Sequence, residues 1–391
     1  MQEQLRQALQ AELNAILDFW LQHSMDEKFG GFYGKLFNDN RPDPFAVKGA
    51  VLNAGILRAF SAAYQATQHA PYLQAAHRAF SYIAEYFLDK EYGGVVWSVD
   101  YTGNPVETKK QVYAIARVID AFSEYYKVSQ HQVAKDRATG LYSLLQLYGY
   151  DCVCGGYLQA FSRDWKEISD LRMFTRDANE KKSANTHLQI LDAYVNLYSI
   201  WPDEGLKTHI RDLLVVFHEK IVDKKTGHLQ LFFEEDWLVK SNTVSYGYDM
   251  QASWLLPAAA KAIGDEAMQE KSAVLAIQLV EAAKAGQDTD GGFWNEFAPD
   301  NQHLVMEKLW WPQAEAITGL INAWQLSANP AYLESANQVW QFVCDHLRDR
   351  KNGEWFWGVR KDRTVMDEEK VGMWKTPNHN SRVCMEALKR L

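Results

Sequence analysis

Apolar residues recur at helical spacing in pairs of segments along most of the chain. Residues 48–65 and 71–87 form one pair, and residues 110–127 and 132–148 form the next. In each segment the apolar side chains fall at i, i+3, i+4 and i+7, and the segment is long enough for a helix. The pattern therefore predicts a protein built from pairs of amphipathic helices.

A short glycine-containing turn separates the helix pairs. A Gly-Gly-aromatic or Gly-x-apolar sequence occurs six times at intervals of 62 to 72 residues, and its second residues are Gly31, Gly94, Gly156, His228, Gly292 and Glu354. The alternating aromatic residues that follow these turns predict short hairpins. Six such units account for nearly the whole chain.

Six helix pairs can bury their apolar faces by closing into an inner ring of helices surrounded by an outer ring. We therefore predict an all-α fold, an (α/α)6 barrel with short hairpins at one end. The first helix of each pair is rich in small and apolar residues, as at 49–55 and 252–260, which suits the inner ring. No Pro/Ser-rich linker interrupts the units, so we expect a single domain over 1–391. An open helical solenoid is the alternative.

The charge of the chain limits its possible binding partners, and the spacing of its cysteines limits its possible metal sites and disulfides. The formal net charge is −9 without a basic cluster, which argues against nucleic acid or an anionic membrane surface as partner. The chain begins without a basic leader and has no apolar run of about 18 residues, so we expect a soluble cytoplasmic protein, a monomer or a homodimer. The spacing of the four cysteines matches neither a zinc site nor a disulfide framework, and we predict that they are reduced and mostly buried.

The aromatic content is high, with 14 Trp, 19 Tyr and 18 Phe. A large helical core would account for it, because aromatic side chains dominate core burial. Alternatively, some of these rings line a sugar-binding cleft, where they would stack on pyranose surfaces.

Three stretches place polar and aromatic residues at the starts of predicted inner helices, where a cleft on the barrel axis would hold a small molecule. In the first, Trp310 and Trp311 precede a helix start at Pro312, and Gln313 and Glu315 follow in its first turn. The alternative is a purely structural role, in which Glu315 is an acidic residue that the helix dipole favours near a helix N-terminus.

The second stretch lies near the end of the chain. Trp374, His379 and Asn380 precede a last predicted helix over 383–391. A lone histidine is more often structural than catalytic, but its polar neighbours here favour a function.

The third stretch precedes an apolar helix in the fourth unit. Tyr246, Tyr248 and Asp249 could face the same cleft, and Gln251 and Trp254 follow them.

These three stretches, the sequence Asn185-Thr-His187-Leu and the six-fold layout resemble the N-acylglucosamine 2-epimerase superfamily, and most of all its cellobiose 2-epimerases. The similarity runs over essentially the whole chain. It implies an (α/α)6 barrel that interconverts C2 epimers of an aldose without a metal. We accordingly expect a mono- or disaccharide partner and no cofactor.

The family reaction removes and returns a proton at C2 of the ring-opened sugar. Two acid/base groups are needed on opposite faces of a planar enediolate, with donors to hold its charge. By the resemblance these groups are histidines, and His379 corresponds to one of them. Four positions depart from the pattern: Tyr248 stands in place of the other histidine, Gln251 in place of its supporting glutamate, Gln189 in place of the ring-opening histidine, and Gly55 in place of a sugar-contacting arginine.

The sugar-binding surface is expected to persist. The residues expected to form it are Tyr113, Arg117, Asn185, His187, Gln189, Asp249, Gln251, Trp254, Trp310, Trp311, Glu315, Trp374 and Asn380. A retained binding surface with substituted proton-transfer groups predicts one of two functions. The first is an epimerase or isomerase with an altered centre, in which His379 and Tyr248 are the acid/base pair. The second is a catalytically silent sugar-binding relative. A glycoside hydrolase that uses Asp249 and Glu315 is a third possibility.

One inner helix carries an unexpected arginine. Tyr113, Arg117, Asp120 and Glu124 recur at helical spacing over 110–127. We hypothesise that Arg117 replaces the missing arginine and lowers the pKa of Tyr113 or Tyr248. The alternative is that Arg117 and Asp120 pair with neighbours near a helix end.

Overall fold

The computed structural model describes residues 2–174 and 177–391. Twelve α-helices lie within these residues: α1 (Gln2–His23), α2 (Ala50–Thr67), α3 (Ala70–Tyr82), α4 (Val112–Ser129), α5 (Gln132–Leu144), α6 (Ala184–Tyr198), α7 (Glu204–Val216), α8 (Tyr246–Ala262), α9 (Glu266–Ala283), α10 (Trp310–Ser327), α11 (Pro330–Phe342) and α12 (Asn378–Arg390).

The even-numbered helices form a closed inner ring. Each packs against the next from α2 to α12, and α12 returns to pack against α2. The odd-numbered helices lie outside them, and α1 packs against α12, so the first and last helices form one pair. The core lies between the two rings, with fully buried residues such as Trp20, Phe122 and Tyr194. The predicted (α/α)6 barrel is confirmed, and the open solenoid is excluded.

Short strands join the units at one end of the barrel. They are β1 (Lys48–Gly49), β2 (Ser98–Val99), β3 (Pro105–Glu107), β4 (Lys110–Gln111), β5 (Ala160–Phe161), β6 (Lys182–Ser183), β7 (Phe232–Phe233), β8 (Val244–Ser245), β9 (Glu296–Ala298), β10 (His303–Val305), β11 (Lys308–Leu309) and β12 (Gly358–Val359). The strand before an inner helix pairs antiparallel with the strand after the next glycine turn, as β6 pairs with β7. This end of the barrel therefore carries the N-termini of the inner helices.

The glycine turns are tight because neighbouring units approach them closely. Gly156 has φ +78°, and a Cβ there would lie 2.5 Å from the ring of Trp237 and 2.7 Å from His187 Nε2. Glycine is the residue that adopts this left-handed conformation without strain. A backbone bridge between Tyr150 and Tyr157 closes the hairpin across this turn.

Five buried lysines fasten the turns to the inner helices. Four of them open the strand before an inner helix, and the fifth, Lys370, lies in the loop before α12. The Nζ of each lysine donates to the aspartate that begins the preceding glycine turn. The pairs, here called Lys–Asp clamps, are Lys48–Asp26, Lys110–Asp89, Lys182–Asp151, Lys308–Asp288 and Lys370–Asp349. The first four have Nζ–Oδ2 distances of 2.6 to 2.8 Å. Val244 occupies the corresponding position in the fourth unit.

The clamps predict acid sensitivity. Burial would raise the pKa of Asp151 and of Asp349, but the hydrogen bonds from their lysines and from backbone N–H groups hold each pKa below the ordinary 3.8. Because the folded protein favours the ionised form, this stabilisation is complete above about pH 4 and is lost as the pH falls further. We expect the free energy of unfolding in urea to decline as the pH falls from 4 to 2. Asp151→Asn should reduce this decline, and an unchanged pH dependence in that variant would contradict the assignment.

The structure corrects three sequence-based expectations. The outer helices α3 and α5 end at Tyr82 and Leu144 and continue in five-residue π-helical turns. The last helix begins at Asn378, five residues before the predicted start, because its polar first turn is buried among partners from other units. Of the cysteines only Cys384 is buried, whereas Cys154 and Cys344 are partly exposed and Cys152 is exposed.

None of the helices in residues 2–174 and 177–391 combines the length and apolar character that crossing a bilayer requires.

Candidate active site

The candidate site lies at the N-terminal ends of the inner helices. His379 is in the first turn of α12, and its Nδ1 lies 2.7 Å from Glu315 Oε1 on α10. Arg382, one turn further along α12, donates to the same oxygen at 2.9 Å. Trp254 of α8 donates its Nε1–H to Glu315 Oε2 at 2.8 Å. Three inner helices therefore converge on one carboxylate.

This carboxylate sets the protonation of His379. Burial would raise the pKa of Glu315, but Arg382 and the hydrogen bonds from His379 and Trp254 outweigh it and hold the pKa at about 2. Burial lowers the pKa of His379 below 6.5; Arg382 and Arg117 act in the same direction, and Glu315 opposes them. The ionised Glu315 accepts the Nδ1–H, so the neutral ring presents Nε2 as a base. His379 and Glu315 form a base with its orienting carboxylate.

A network of buried charged residues, here called the floor network, lies beneath the candidate site. Arg382 donates to Asp192 Oδ2 at 2.7 Å, and Arg117 lies 3.6 Å from the same oxygen. Arg117 also donates to Asp120 at 3.1 Å and to Gln189 Oε1 at 3.3 Å. These charges are paired, as burial requires.

Asn185 lies above Gln189. It is partly exposed, and Gln189 Nε2 lies 3.5 Å from its Oδ1. Asn185, Gln189 and Arg117 are therefore linked in one polar group.

Arg117 acts to lower the pKa of Tyr113, as hypothesised, but the effect of burial is larger. Burial raises the pKa of Tyr113, and the opposing effects of Arg117 and Arg382 do not outweigh it. The pKa of Tyr248 lies well above 10 because the side chain is buried, and Tyr113, Asp177 and Glu296 add to the rise. Arg117 forms an ion pair with Asp120, which is the alternative that the sequence analysis left open.

Aromatic rings cover two sides of the site. Trp311 is adjacent to both Tyr248 and His379, and its ring centroid lies 4.9 and 6.1 Å from theirs. Trp374 stacks on Phe174 at 4.0 Å and meets the edge of Tyr113 at 5.8 Å. Rings in such positions can pack on the apolar face of a sugar.

Gln251 is buried between these groups without a hydrogen-bond partner. It lies on α8 one turn after Tyr248 and one turn before Trp254, so all three share the inner face of that helix. It is 1% exposed, and both amide atoms lack a partner among the described residues. A buried amide without a partner is costly, and a ligand hydroxyl would satisfy it.

Four of the predicted sugar contacts pack against or bind other parts of the protein. His187 is fully buried, with Nδ1 2.7 Å from the Ser183 carbonyl and Nε2 accepting the Tyr157 N–H at 2.9 Å. Asp249 accepts from His228 and from the Leu229 N–H at 2.7 and 2.8 Å. Both residues secure glycine turns, and so does Gln313, which accepts the Phe293 N–H at 2.7 Å.

The other two predicted sugar contacts of this kind are Asn380 and Trp310. Asn380 donates to both Glu354 carboxylate oxygens at 2.9 and 2.8 Å. Trp310 is buried against Trp357 and the Lys375 ammonium. Because Asp249 is fully buried with both oxygens occupied, it does not form with Glu315 the pair of exposed carboxylates that glycoside hydrolysis requires.

The position of Gly55 explains why no arginine is found there. A Cβ at Gly55 would lie 2.6 Å from Thr376 Oγ1, so this point of the inner ring has no room for a side chain. Arg58, one turn later on α2, instead forms an ion pair with Asp120 at 2.6 Å. This arginine belongs to the floor network through Asp120.

The sequence analysis did not identify Asp192 or Arg58. Asp192 and Arg58 follow Gln189 and Gly55 by one helical turn, so helical periodicity carried a signal for both. Within the described ranges, no group of three or more His, Cys, Asp or Glu side chains is arranged to hold a metal ion.

Comparison with known proteins gives consistent matches over the chain. The model of the family described as N-acylglucosamine 2-epimerase (GlcNAc 2-epimerase) matches residues 31–376. A cellobiose 2-epimerase from Bacteroides fragilis is 40% identical over 390 residues, covering 99% of this chain and 100% of that protein. The solved cellobiose 2-epimerase from Bacillus thermoamylovorans B4167 is 35% identical, with a TM-score of 0.95 and 100% of both chains covered. A D-mannose isomerase from Marinomonas mediterranea is 23% identical over 402 residues, covering 98% of this chain and 97% of that protein.

Proposed function

The chain belongs to the N-acylglucosamine 2-epimerase family, and we propose that it transfers the C2 proton of a ring-opened aldose with His379 as the base. The observation that carries this proposal is the contact between His379 and Glu315, which orients a neutral imidazole at the aromatic cleft. The proposed substrate class is a mono- or disaccharide with a free reducing end. The names of the relatives, cellobiose 2-epimerase and D-mannose isomerase, support it.

The proposed roles follow from the contacts. His379 Nε2 removes the C2 proton, and Glu315 steadies the imidazolium that forms. Arg117 supplies positive charge below the site, where an enediolate oxygen would gain charge. Trp311 and Trp374 hold the sugar ring. His187, Asp249, Asn380 and Trp310 act on the scaffold in this proposal and do not contact the sugar.

The centre is proposed to be altered relative to the two-histidine arrangement that the family resemblance implies. Tyr248 remains protonated near neutrality, and the amides of Gln189 and Gln251 do not titrate. The proposed function therefore relies on a single base.

The direct test is hydrogen exchange at C2. Cellobiose and D-mannose are each incubated with the protein in deuterium oxide, and the C2 proton signal is followed by NMR. We expect loss of that signal well above the rate in buffer alone for at least one of the two sugars.

Sugar binding without turnover is the second candidate. It is favoured because Tyr248 stays protonated near neutrality and Gln189 and Gln251 do not titrate, so none of the three supplies a second base. Its signature is saturable binding by calorimetry together with a C2 signal that persists at the buffer rate. That combination would exclude the catalytic proposal.

The pH profile should report on His379. Because its pKa lies below 6.5 and the neutral ring is the active form, kcat/KM should be constant around pH 7 and fall in acid with an inflection below 6.5. Glu315→Gln removes the group that raises this pKa, so the inflection should move to lower pH while the rate falls by at least about tenfold.

Glu386→Gln is the matched control, because Glu386 lies near the other end of α12 and pairs with Arg390. This variant should keep the wild-type inflection. An inflection that does not move in Glu315→Gln would contradict the proposed role of Glu315.

A further inference from the structure

The helical repeat of the floor network continues beyond the candidate active site. Arg58, Asp120, Asp192 and Arg382 lie on α2, α4, α6 and α12. Positions i+4 and i+7 from each of them fall on the same face of the helix, one and two turns nearer its C-terminal end. These positions hold Ala62 and Gln65, Glu124 and Lys127, Asn196 and Ser199, and Glu386 and Lys389. All eight residues line a single cavity.

This cavity, here called the distal chamber, lies at the C-terminal ends of the inner helices. Its volume is about 670 Å³, within the range of about 300–1,000 Å³ that is usual for small-molecule sites. Arg58, Asp192 and Arg382 line its inner end. His379 precedes Arg382 by one turn of α12 and does not line the chamber. The floor network therefore separates the distal chamber from the candidate active site.

Polar groups at the inner end of the chamber retain hydrogen-bonding capacity. Arg58 forms an ion pair with Asp120 through Nε, but its two Nη nitrogens make no hydrogen bond within the described part of the chain. Asn196 donates to Asp120 Oδ1 and Glu124 Oε2 at 2.6 and 3.0 Å, whereas its own Oδ1 accepts no hydrogen bond from the described residues. Asp192 is bound through Oδ2, and its Oδ1 has no donor among those residues either. The chamber therefore offers both donors and acceptors to a ligand.

A neutral ligand suits the charges of the chamber better than an ion does. Glu124 already has Lys127 as a counter-ion at 3.1 Å. Asp192 has Arg382 at 2.7 Å. An added anion would be repelled by these carboxylates, and an added cation by Arg58 and Arg382. Burial would lower the pKa of Arg58, but the surrounding carboxylates raise it well above 12.5, so Arg58 lies in a negative field. A neutral hydroxyl group can accept from Arg58 and donate to Asp192 without displacing a counter-ion.

Another part of the chamber wall is apolar. Leu255 and Ala258 line it from α8, and Met385 lines it from α12. A ligand that has both hydroxyl groups and a C–H surface would contact both kinds of wall. Cyclic sugars and polyols have this composition, whereas a purely apolar ligand would leave Arg58 and Asn196 without partners.

We propose that the distal chamber binds a small, neutral, polyhydroxylated molecule of about the size of a monosaccharide. The hydroxyl groups of this ligand accept hydrogen bonds from Arg58 and donate to Asp192 and Asn196, and its C–H surface packs against Leu255 and Met385. The site is distinct from the candidate active site, and it does not depend on the C2 proton transfer proposed above.

Calorimetry on the whole chain tests the chemical class of the ligand. The neutral probes are myo-inositol, sorbitol and methyl β-D-glucopyranoside, and the charged probes are inorganic phosphate and putrescine. At pH 7 we expect at least one neutral probe to bind saturably, with a dissociation constant at least about tenfold below that of either charged probe. Equal or tighter binding of a charged probe would overturn the neutral class. Absence of saturable binding of all three neutral probes up to about 50 mM would overturn the site.

Two substitutions inside the chamber show whether the neutral probe binds there. Ala62→Phe puts a ring into the chamber in place of a methyl group, so the dissociation constant should rise at least about tenfold. Arg58→Lys keeps a cation for Asp120 but loses the planar set of N–H donors, so the dissociation constant should rise at least about fivefold. Urea unfolding verifies that each variant is folded, and Arg58→Lys decides the test if Ala62→Phe does not fold.

Two matched variants outside the chamber complete the test. Ala267→Phe adds the same ring at an exposed position of α9, and Trp311→Ala removes an aromatic ring beside His379 in the candidate active site. Both should bind the probe with a dissociation constant within about threefold of the wild-type value. Unchanged binding in Ala62→Phe and Arg58→Lys would overturn the proposal, and a loss confined to Trp311→Ala would place the probe in the candidate active site instead.

Discussion

His379→Asn should lower the rate of hydrogen exchange at C2 by about 1000-fold. Asparagine preserves the size and a hydrogen-bonding group for Glu315, but it has no titrating nitrogen. The neighbours Tyr248, Gln189 and Gln251 cannot replace the base, because the first stays protonated and the others do not titrate. The measurement is loss of the C2 proton signal in deuterium oxide at saturating sugar.

A binding measurement on His379→Asn distinguishes loss of the catalytic base from loss of the sugar-binding site. Because Trp311 and Trp374 remain, the dissociation constant measured by calorimetry should change by less than about tenfold, or about 1.4 kcal/mol. His69→Asn, in the exposed loop between α2 and α3, is the control and should exchange at the wild-type rate. Exchange in His379→Asn within threefold of wild type would refute the placement of the reactive centre.

Lys182→Met should lower the free energy of unfolding by about 3–5 kcal/mol, which is the usual cost of leaving one member of a buried ion pair without its partner. Lys182 is fully buried, and its Nζ donates to Asp151 and to the carbonyls of Gly155 and Glu235 at 2.6 to 2.7 Å. Its ammonium also lies 4.7 Å from the ring centroid of Trp237. Methionine fills most of the space but leaves the Asp151 carboxylate without its cation. Urea unfolding at pH 7 measures the difference.

Two further variants test whether the unpaired buried charge causes the loss of stability in Lys182→Met. Lys166→Met breaks an exposed ion pair with Asp164 and should leave the free energy of unfolding almost unchanged, because water screens that pair. In Lys182→Met/Asp151→Asn the uncompensated charge is gone, so this double variant should lose less stability than Lys182→Met alone. A loss in the double variant equal to the sum of two independent losses would show that the buried charge is not the cause.

The sequence predicts the barrel because its signals are local and repeated. Helical periodicity, six glycine turns and small residues on alternate helices all indicate one architecture, and they agree with each other. The pattern weakens where an inner helix is polar. The run from Asn378 to Arg382 resembles a loop by composition. It is helical because Glu354, Glu315 and Asp192, from three other segments of the chain, bind its side chains.

The candidate site is harder to predict, because partners from distant units decide which polar residues are free. His187, Asp249 and Gln313 each occupy the fourth position of an inner helix, and each binds a backbone N–H of a glycine turn. An alignment of the six units to each other would have revealed this shared position. Gln251 carries no such signal, since its lack of a partner depends on packing that one sequence does not display.

The pairing of α1 with α12 has a consequence for the order of the units. Gln2 Nε2 donates to the backbone carbonyl of Leu391 at 2.7 Å, so residues 2 and 391 are neighbours in space. A circular permutant that joins these positions through a short linker and opens the chain between α2 and α3 would keep every packing partner of the ring. Which unit comes first is then a matter of chain connectivity, and the barrel itself has no beginning.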